Sequence, residues 1–166
     1  MPYFDRLRNS SNFAVNPVML RPKSRGYIRL RSKNPYEHPI IDPNYLSHPQ
    51  DIATLVEGMK MAIRIGLSKA LRRRFNSRFY GMPLPGCEKY KLLSNKYLEC
   101  AARTLTWTLY HPLGTCKMVD PRYGTNSSGV VDTELRVLGG VKGLRVVDAS
   151  VMPTAISGNG CRRGRD

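Results

Sequence analysis

The segment YHPLGTCKM, Tyr110–Met118, is the most informative part of this chain. It places His111, one of only three histidines, directly before a proline and after an apolar run. Pro112 disfavours a helical conformation for the residue before it, so His111 is predicted to be extended, at the edge of a buried element. Gly114 predicts a close approach between two backbone segments. An imidazole has an ordinary pKa of about 6.5 and can exchange a proton near neutral pH, but these residues alone favour a structural histidine.

Two helices are predicted before this segment. In the first, from Ser47 to about Arg74, Ser47 and Gln50 have the spacing of a capping box. Its apolar positions recur every three or four residues: Ile52, Leu55, Val56, Met59, Ile63 and Leu67. The second begins near Ser94, a favourable N-cap residue, and its inner face carries Tyr97, Leu98, Ala101 and Leu105. Thr104–Tyr110 then predicts a strand-like segment that leads to His111.

Short strands are predicted on both sides of the helices. After Gly26, apolar and polar residues alternate with the period of a half-buried strand, with Ile28 and Leu30 on one face. The sequence IIDPNYL predicts a short extended piece interrupted at Asp-Pro. Near the C-terminus, Leu135–Val137 and Leu144–Asp148 predict two strands separated by a glycine-rich turn. With 166 residues, the chain suits one domain that contains both helices and strands.

Composition narrows the classes of function. Lys and Arg total 27 against 12 acidic residues, a formal charge of +15, with dense runs at Ala70–Phe75 and in the last six residues. The runs lack any nucleic-acid-binding motif, so a solvated basic face or a face that meets an acidic partner is the preferred interpretation, and nucleic acid is not an expected partner. No apolar run is long enough to span a membrane. The N-terminal residues do not resemble a secretory signal, which makes the cytoplasm the default expectation.

The four cysteines include no CxxC pair, so a metal site is not expected. Cys100 lies in the second helical pattern and is interpreted as a small buried apolar residue. Cys116 lies five residues after His111, but nothing else supports a Cys/His nucleophile. The spacing of the cysteines leaves open whether any disulfide forms. His38 and His48 each precede a proline in polar segments and are interpreted as surface or structural residues.

Several of these motifs, in this order, resemble the C-terminal region of the glucose–methanol–choline (GMC) oxidoreductases. They are LRPKSRGYIRLRSKNPYEHPIIDPNYL, in the form found in insect glucose dehydrogenases, then YHPLGTCKM, then GVVDTELRVLGGVKGLRVVDASVMPTAISGN. The resemblance implies an α+β substrate domain, with an antiparallel sheet flanked by the two helices, that belongs to an FAD-dependent enzyme. Such an enzyme oxidises CH–OH groups of a small alcohol or sugar. The resemblance also implies that His111 takes the hydroxyl proton while hydride passes to flavin N5, that Asn159 contacts the substrate oxygen, and that Asp148 and Ala149 lie against the flavin.

The sequence departs from the family pattern in two places. The glycine fingerprint G-x-G-x-x-G, which binds the ADP part of the cofactor, does not occur in these 166 residues. After Ser157–Asn159 the chain continues as GCRRGRD rather than as the family's closing helix. The resemblance therefore predicts a truncated member of the family that is inactive alone. Its predicted parts are an irregular leader (1–15), a substrate domain (16–142), the terminal strand of an absent Rossmann-like FAD-binding domain (143–159) and a divergent basic tail (160–166). The alternatives are a non-catalytic paralogue that acts as a binding module and, less favoured, a basic nucleic-acid binder.

Overall fold

A computed structural model of the chain describes residues 5, 7, 10–119 and 129–157. The described residues form three α-helices, two β-strands and one 3₁₀ turn. They belong to two compact units: Met1–Met19 with Leu46–Thr106, and Leu20–Tyr45 with Trp107–Asp166. The helices lie in the first unit and the paired strands in the second, which confirms the α+β class. None of the described helices is both long enough and apolar enough to cross a bilayer.

Helix α1 spans Pro49–Gly66, and its N-cap is His48 rather than the predicted Ser47. The Gln50 N–H donates to His48 Nδ1 at 3.1 Å, so the predicted capping box is wrong and His48 has a structural role. The reason is local. Pro49 suits the first helical position, where an N–H would have no partner, and it holds the residue before it in the extended conformation that a cap requires.

The predicted continuation of this helix to Arg74 is interrupted. Helix α1 ends at Gly66, and a separate helix, α2, spans Lys69–Phe75. Glycine is a poor helix former, and Ser68 competes as an N-cap, where its Oγ accepts a hydrogen bond from the Leu71 N–H at 3.5 Å. Helix α2 ends at Asn76, which adopts a left-handed conformation with φ 51°.

Helix α3 spans Asn95–Leu105 and begins at the predicted cap, where Ser94 Oγ accepts from the Tyr97 N–H. Its inner face packs against α1 to form the core of the first unit. The buried residues of this core are Val56, Leu84, Cys87, Tyr97, Leu98 and Ala101. The predicted apolar faces of both helices are therefore confirmed.

Cys100 does not have the role that the sequence predicted. It is half-buried and forms a disulfide with Cys87, thirteen residues earlier. This bond ties the loop before α3 to the helix itself. A cysteine at an apolar helical position has the same sequence pattern whether it packs or pairs, and only the approach of Cys87 distinguishes the two.

In the second unit, β1 (Tyr27–Arg29) pairs antiparallel with β2 (Ile40–Asp42). A side chain at Gly26 would collide with the Asp42 carbonyl oxygen, which explains the glycine that opens β1. The alternation correctly predicts the strand but not its burial: Ile28 is 51% exposed and Leu30 is 86% exposed. All residues of the two strands are exposed except Asp42, which is half-buried.

Candidate active site

Three extended segments of the second unit form the support for the candidate site. The segment after YHPLGTC pairs with the segment around Val131: Met118 and Val131 form a parallel bridge, and the Val119 N–H donates to the Val131 oxygen at 2.9 Å. The predicted strands Leu135–Val137 and Leu144–Asp148 also pair, since the Val137 N–H donates to the Leu144 oxygen at 3.0 Å. They do so through an isolated antiparallel bridge rather than a continuous ladder. Val131, at the centre, is fully buried.

The HPLGTC segment also meets the turn that carries Asp148 and Ala149. The Cys116 N–H donates to the Ser150 oxygen at 2.9 Å, and the Met118 N–H donates to the Val151 oxygen at 2.8 Å. At Gly114, with φ +85°, a Cβ atom would lie 3.3 Å from the Met152 oxygen, so a side chain would be both strained and crowded. This is the close backbone approach that the glycine predicted. Two segments with predicted site residues, His111 and Asp148, which are 37 positions apart in the sequence, are therefore brought together.

His111 lies on an irregular segment of this unit and is exposed. The residue before it, Tyr110, has φ +62°, a conformation that aromatic residues seldom adopt, and its N–H donates to Thr108 Oγ1 at 2.9 Å. The expectation that His111 ends a buried, strand-like element is wrong, because α3 stops at Leu105 and Trp107 is 68% exposed. The apolar run before His111 thus presents its side chains to the outside in the described chain.

Asp148 caps a short 3₁₀ turn, Ala149–Val151. Its Oδ1 accepts a hydrogen bond from the Ser150 N–H at 2.8 Å. Hydrogen bonds from the Ser150 side chain and backbone lower the pKa of Asp148, against a smaller opposing effect of desolvation. The carboxylate is therefore engaged with its own turn. Ala149 is exposed, and its N–H has no hydrogen-bond acceptor within the described residues.

Asp132 is a residue of this region that the sequence analysis missed. It is 8% exposed and accepts three hydrogen bonds: Oδ1 from the N–H groups of Glu134 and Arg136, both at 2.9 Å, and Oδ2 from Arg136 Nε at 2.8 Å. The Arg136 side chain also pairs with Glu134 at 3.0 Å. The hydrogen bond from Arg136 is the main cause that lowers the pKa of Asp132. The only sequence signal was an aspartate at the start of a short turn, which is common.

The remaining predicted site residues add little to the geometry of the candidate site. Asn159, the second predicted catalytic residue, lies outside the described residues. Cys116 is a half-buried free thiol, and no hydrogen bond joins its sulfur to His111 in the described chain. No cluster of three potential metal ligands occurs in the ranges that the structure describes.

These motifs and their mutual arrangement match a known family. The sequence profile of the GMC oxidoreductase C-terminal domain matches residues 22–161, which is most of the chain. The chain belongs to the GMC oxidoreductase family. It is 44% identical to glucose dehydrogenase [FAD, quinone] of Drosophila melanogaster over 151 residues, which cover 91% of this chain and 23% of that protein.

Other members show the same partial coverage. Alcohol dehydrogenase [acceptor] of Pseudomonas putida is 40% identical over 140 residues, which cover 84% of this chain and 23% of that protein. The solved structure of Aspergillus oryzae formate oxidase superimposes with a TM-score of 0.66 at 30% identity, over 82% of this chain and 22% of that one. The chain thus spans about a quarter of the length of the GMC relatives that it matches.

Proposed function

We propose that this GMC chain forms the substrate side of an FAD-dependent oxidoreductase that oxidises the CH–OH group of a small alcohol or sugar. One observation carries the proposal: backbone hydrogen bonds hold the segment of His111 against the Asp148–Val151 turn. His111, the proposed proton acceptor, and the turn with the proposed flavin contacts therefore belong to the same compact unit. The names of the relatives, a glucose dehydrogenase and an alcohol dehydrogenase, support the substrate class.

The residues of the turn fit the edge of a flavin. The N–H of Ala149, at an exposed position, has no acceptor among residues 10–119 and 129–157, and Val147, 76% exposed, offers apolar surface two residues away. A flat ring system with nitrogen and oxygen atoms along its edge would find a hydrogen-bond donor and an apolar contact there. Asp148 and Ala149 would hold this part of the cofactor, and FAD, when bound, supplies the hydride acceptor. The predicted assignment of residues 143–159 to the FAD-binding domain is part of this proposal.

His111 acts as the general base in the proposed reaction. An imidazole nitrogen accepts the hydroxyl proton of the substrate, which leaves an alkoxide that readily gives up hydride from its carbon. The left-handed Tyr110 before it and Pro112 after it restrict the backbone on both sides, which limits how far the ring can move. We assign Asn159 the orientation of the substrate oxygen through its side-chain amide.

Replacement of His111 by alanine tests the assignment. In an FAD-loaded enzyme that contains this chain, His111→Ala is expected to lower kcat by about 10²–10⁴-fold because the proton acceptor is lost. The flavin spectrum is expected to stay unchanged, since no cofactor contact is assigned to His111. The matched control is His38→Ala, an exposed loop histidine, which should retain normal turnover. Near-normal turnover of His111→Ala would refute the role of this residue.

The disulfide between Cys87 and Cys100 is relevant to the cellular compartment in which the chain folds. Disulfides persist in oxidising environments and are rare in the cytosol. We therefore propose, in place of the cytoplasmic default, that the chain folds in an oxidising compartment where Cys87 and Cys100 can pair. The mass of the intact chain from its natural source, measured with and without reductant and alkylating agent, reports whether two thiols are paired.

A further inference from the structure

The first unit contains a long stretch without negative charge. Between Glu57 and Glu88 the chain has no acidic residue and seven Lys or Arg residues. Helix α2 lies within this stretch and contains Arg72, Arg73 and Arg74 in its last turn. Cations at that end of a helix interact favourably with its dipole, but this effect is modest and does not require three adjacent arginines.

Two of these arginines line a groove together with Arg78. The groove has a volume of about 610 Å³, and its wall also includes Asn76, Ser77 and Phe79. We call it the arginine groove. It is open to the surface, and all three of its arginines are exposed.

The backbone around the arginine groove is held in place. Ser77 is buried, and its Oγ donates to the Gly66 oxygen at 2.6 Å, which joins the loop after α2 to the end of α1. The left-handed Asn76 reverses the chain so that Arg78 faces the same groove as the helix. The side-chain oxygen of Asn76 accepts hydrogen bonds from Arg78 Nε and Nη2, both at 3.3 Å. Hydrogen bonds therefore hold the turn that carries Arg78 next to the helix that carries Arg72 and Arg73.

The arginines of the groove differ from other basic residues in their ion pairing. Among the described residues, Arg72, Arg73 and Arg78 form no ion pair with a carboxylate, whereas basic residues elsewhere, such as Lys60 and Arg103, do. Three guanidinium groups around one groove repel one another unless an anion enters. Guanidinium groups bind phosphate through paired N–H donors, so phosphate is the anion that this arrangement fits best.

Two exposed aromatic side chains accompany the basic ones. Phe75, at the end of α2, is 66% exposed, and Phe79, in the wall of the groove, is 39% exposed. Arginines mixed with exposed aromatic residues are typical of surfaces that lie at the boundary between lipid headgroups and acyl chains. The basic run lacks a nucleic-acid-binding motif, so a lipid surface fits it better than nucleic acid.

We propose that the arginine groove docks the chain on an anionic lipid surface. Lipid phosphates bind among Arg72, Arg73 and Arg78, while Phe75 and Phe79 enter the interfacial layer. This inference is independent of the oxidoreductase chemistry, because it rests on the first unit and the candidate active site lies in the second. It gives the basic run of the sequence a function that the catalytic proposal leaves unexplained.

Vesicle binding tests this proposal. The whole chain is mixed with sucrose-loaded vesicles of phosphatidylcholine alone or with 30% phosphatidylserine, and the bound fraction is measured by sedimentation. Binding is expected only to the anionic vesicles and should weaken steeply with added salt. A triple variant, Arg72→Gln, Arg73→Gln and Arg78→Gln, is expected to bind roughly a hundredfold more weakly, since each basic residue contributes about 1 kcal/mol near such a surface.

The matched control removes the same number of charges elsewhere: Lys33→Gln, Lys91→Gln and Lys96→Gln, all at exposed positions. It is expected to bind nearly as well as the unmodified chain. An equal loss in both variants would overturn the proposal, because only total charge would then matter. So would equal binding to neutral vesicles.

Two further measurements separate the alternative ligands. Phe75→Ser is expected to weaken vesicle binding severalfold and to leave any binding of inorganic phosphate unchanged. Tight binding of duplex DNA, lost in the triple variant, together with no binding to vesicles, would replace the lipid surface by nucleic acid. If the triple variant does not fold, as judged by circular dichroism, Arg78→Gln alone is used, and it should lower the affinity about fivefold; unchanged affinity would contradict the proposal.

Discussion

At the scale of single residues, the Asp132 carboxylate connects the two halves of the candidate site. Its hydrogen bonds close a turn. At one end of this turn lies Val131, which pairs with Met118, just after the HPLGTC segment. The other end leads to Val137, which pairs with the strand that continues to Asp148. We infer that Asp132 supports the position of His111 relative to the Asp148 turn, together with the direct backbone hydrogen bonds from Cys116 and Met118.

Asp132→Asn is expected to lower the thermal midpoint (Tm) at neutral pH, because the hydrogen bonds to the ionised carboxylate weaken. The pKa of Asp132 lies below its ordinary value of 3.8 in the folded chain. The ionised group therefore stabilises the fold above pH 3.8, and this contribution disappears as the pH falls through the lowered pKa. The Tm difference between the two proteins, followed by circular dichroism from pH 7 to pH 2, should shrink toward zero. Glu134→Gln, at an exposed ion pair, serves as the control with a smaller effect.

Sequence reasoning at this scale found the residues with a recognisable pattern and missed those without one. His111, Gly114 and Asp148 stood out because each belongs to a motif with unusual neighbours. Asp132 did not, since its partners are backbone groups of its own turn, and that chemistry is compatible with almost any residue at the intervening positions. The exposure of His111 also escaped prediction, because an apolar run has the same pattern whether its partner surface is present or not.

At the scale of elements, caps decided where the helices begin and end. The apolar periodicity of α1 and α3 was sufficient to predict both helices and their buried faces. It could not predict the break between α1 and α2, where Gly66 and Ser68 favour a new start while the apolar pattern runs on. Periodicity reports which face is buried, whereas the ends depend on single backbone hydrogen bonds.

The packing of α3 against α1 gives an element-scale prediction. Leu98 is 2% exposed in the centre of this core, so Leu98→Ala should lower the free energy of unfolding by about 2–5 kcal/mol. Denaturation in urea measures the change. Met61→Ala, at a position that is 55% exposed on α1, is the matched control and should change stability by less than about 0.5 kcal/mol. Equal effects of the two substitutions would show that α3 does not pack as described.

At the scale of the whole molecule, cofactor binding depends on contacts to every part of a large ligand. The 166-residue chain, produced by itself, is expected not to retain FAD. The contacts proposed for it, Asp148 and Ala149, would reach only the flavin part of FAD, and a glycine turn of the kind that binds pyrophosphate does not occur in these 166 residues. Few contacts remain to offset the entropy of fixing a large ligand.

The measurement is direct. The chain is incubated with FAD, desalted and examined by visible spectroscopy, with an FAD-loaded enzyme that contains the chain as the positive control. A bound-flavin band near one flavin per chain would disprove this expectation.

The class of the fold and the family could be predicted from the sequence, because the order of the motifs is preserved in a chain that spans about a quarter of its relatives' length. The burial of β1 could not, since it depends on surfaces that alternation alone does not specify.

The Cys87–Cys100 disulfide has a consequence for how the chain responds to proteases. Lys89 and Lys91 lie between the two cysteines and are exposed, so trypsin can cut there without unfolding α3. The two fragments would remain covalently joined. When digestion is stopped after a single cut, chains cut at Lys89 or Lys91 should keep the mobility of the intact chain on a non-reducing gel and give two shorter bands after reduction. If the two fragments of that cut, identified by mass spectrometry, separated without reductant, the sulfurs would not be bonded.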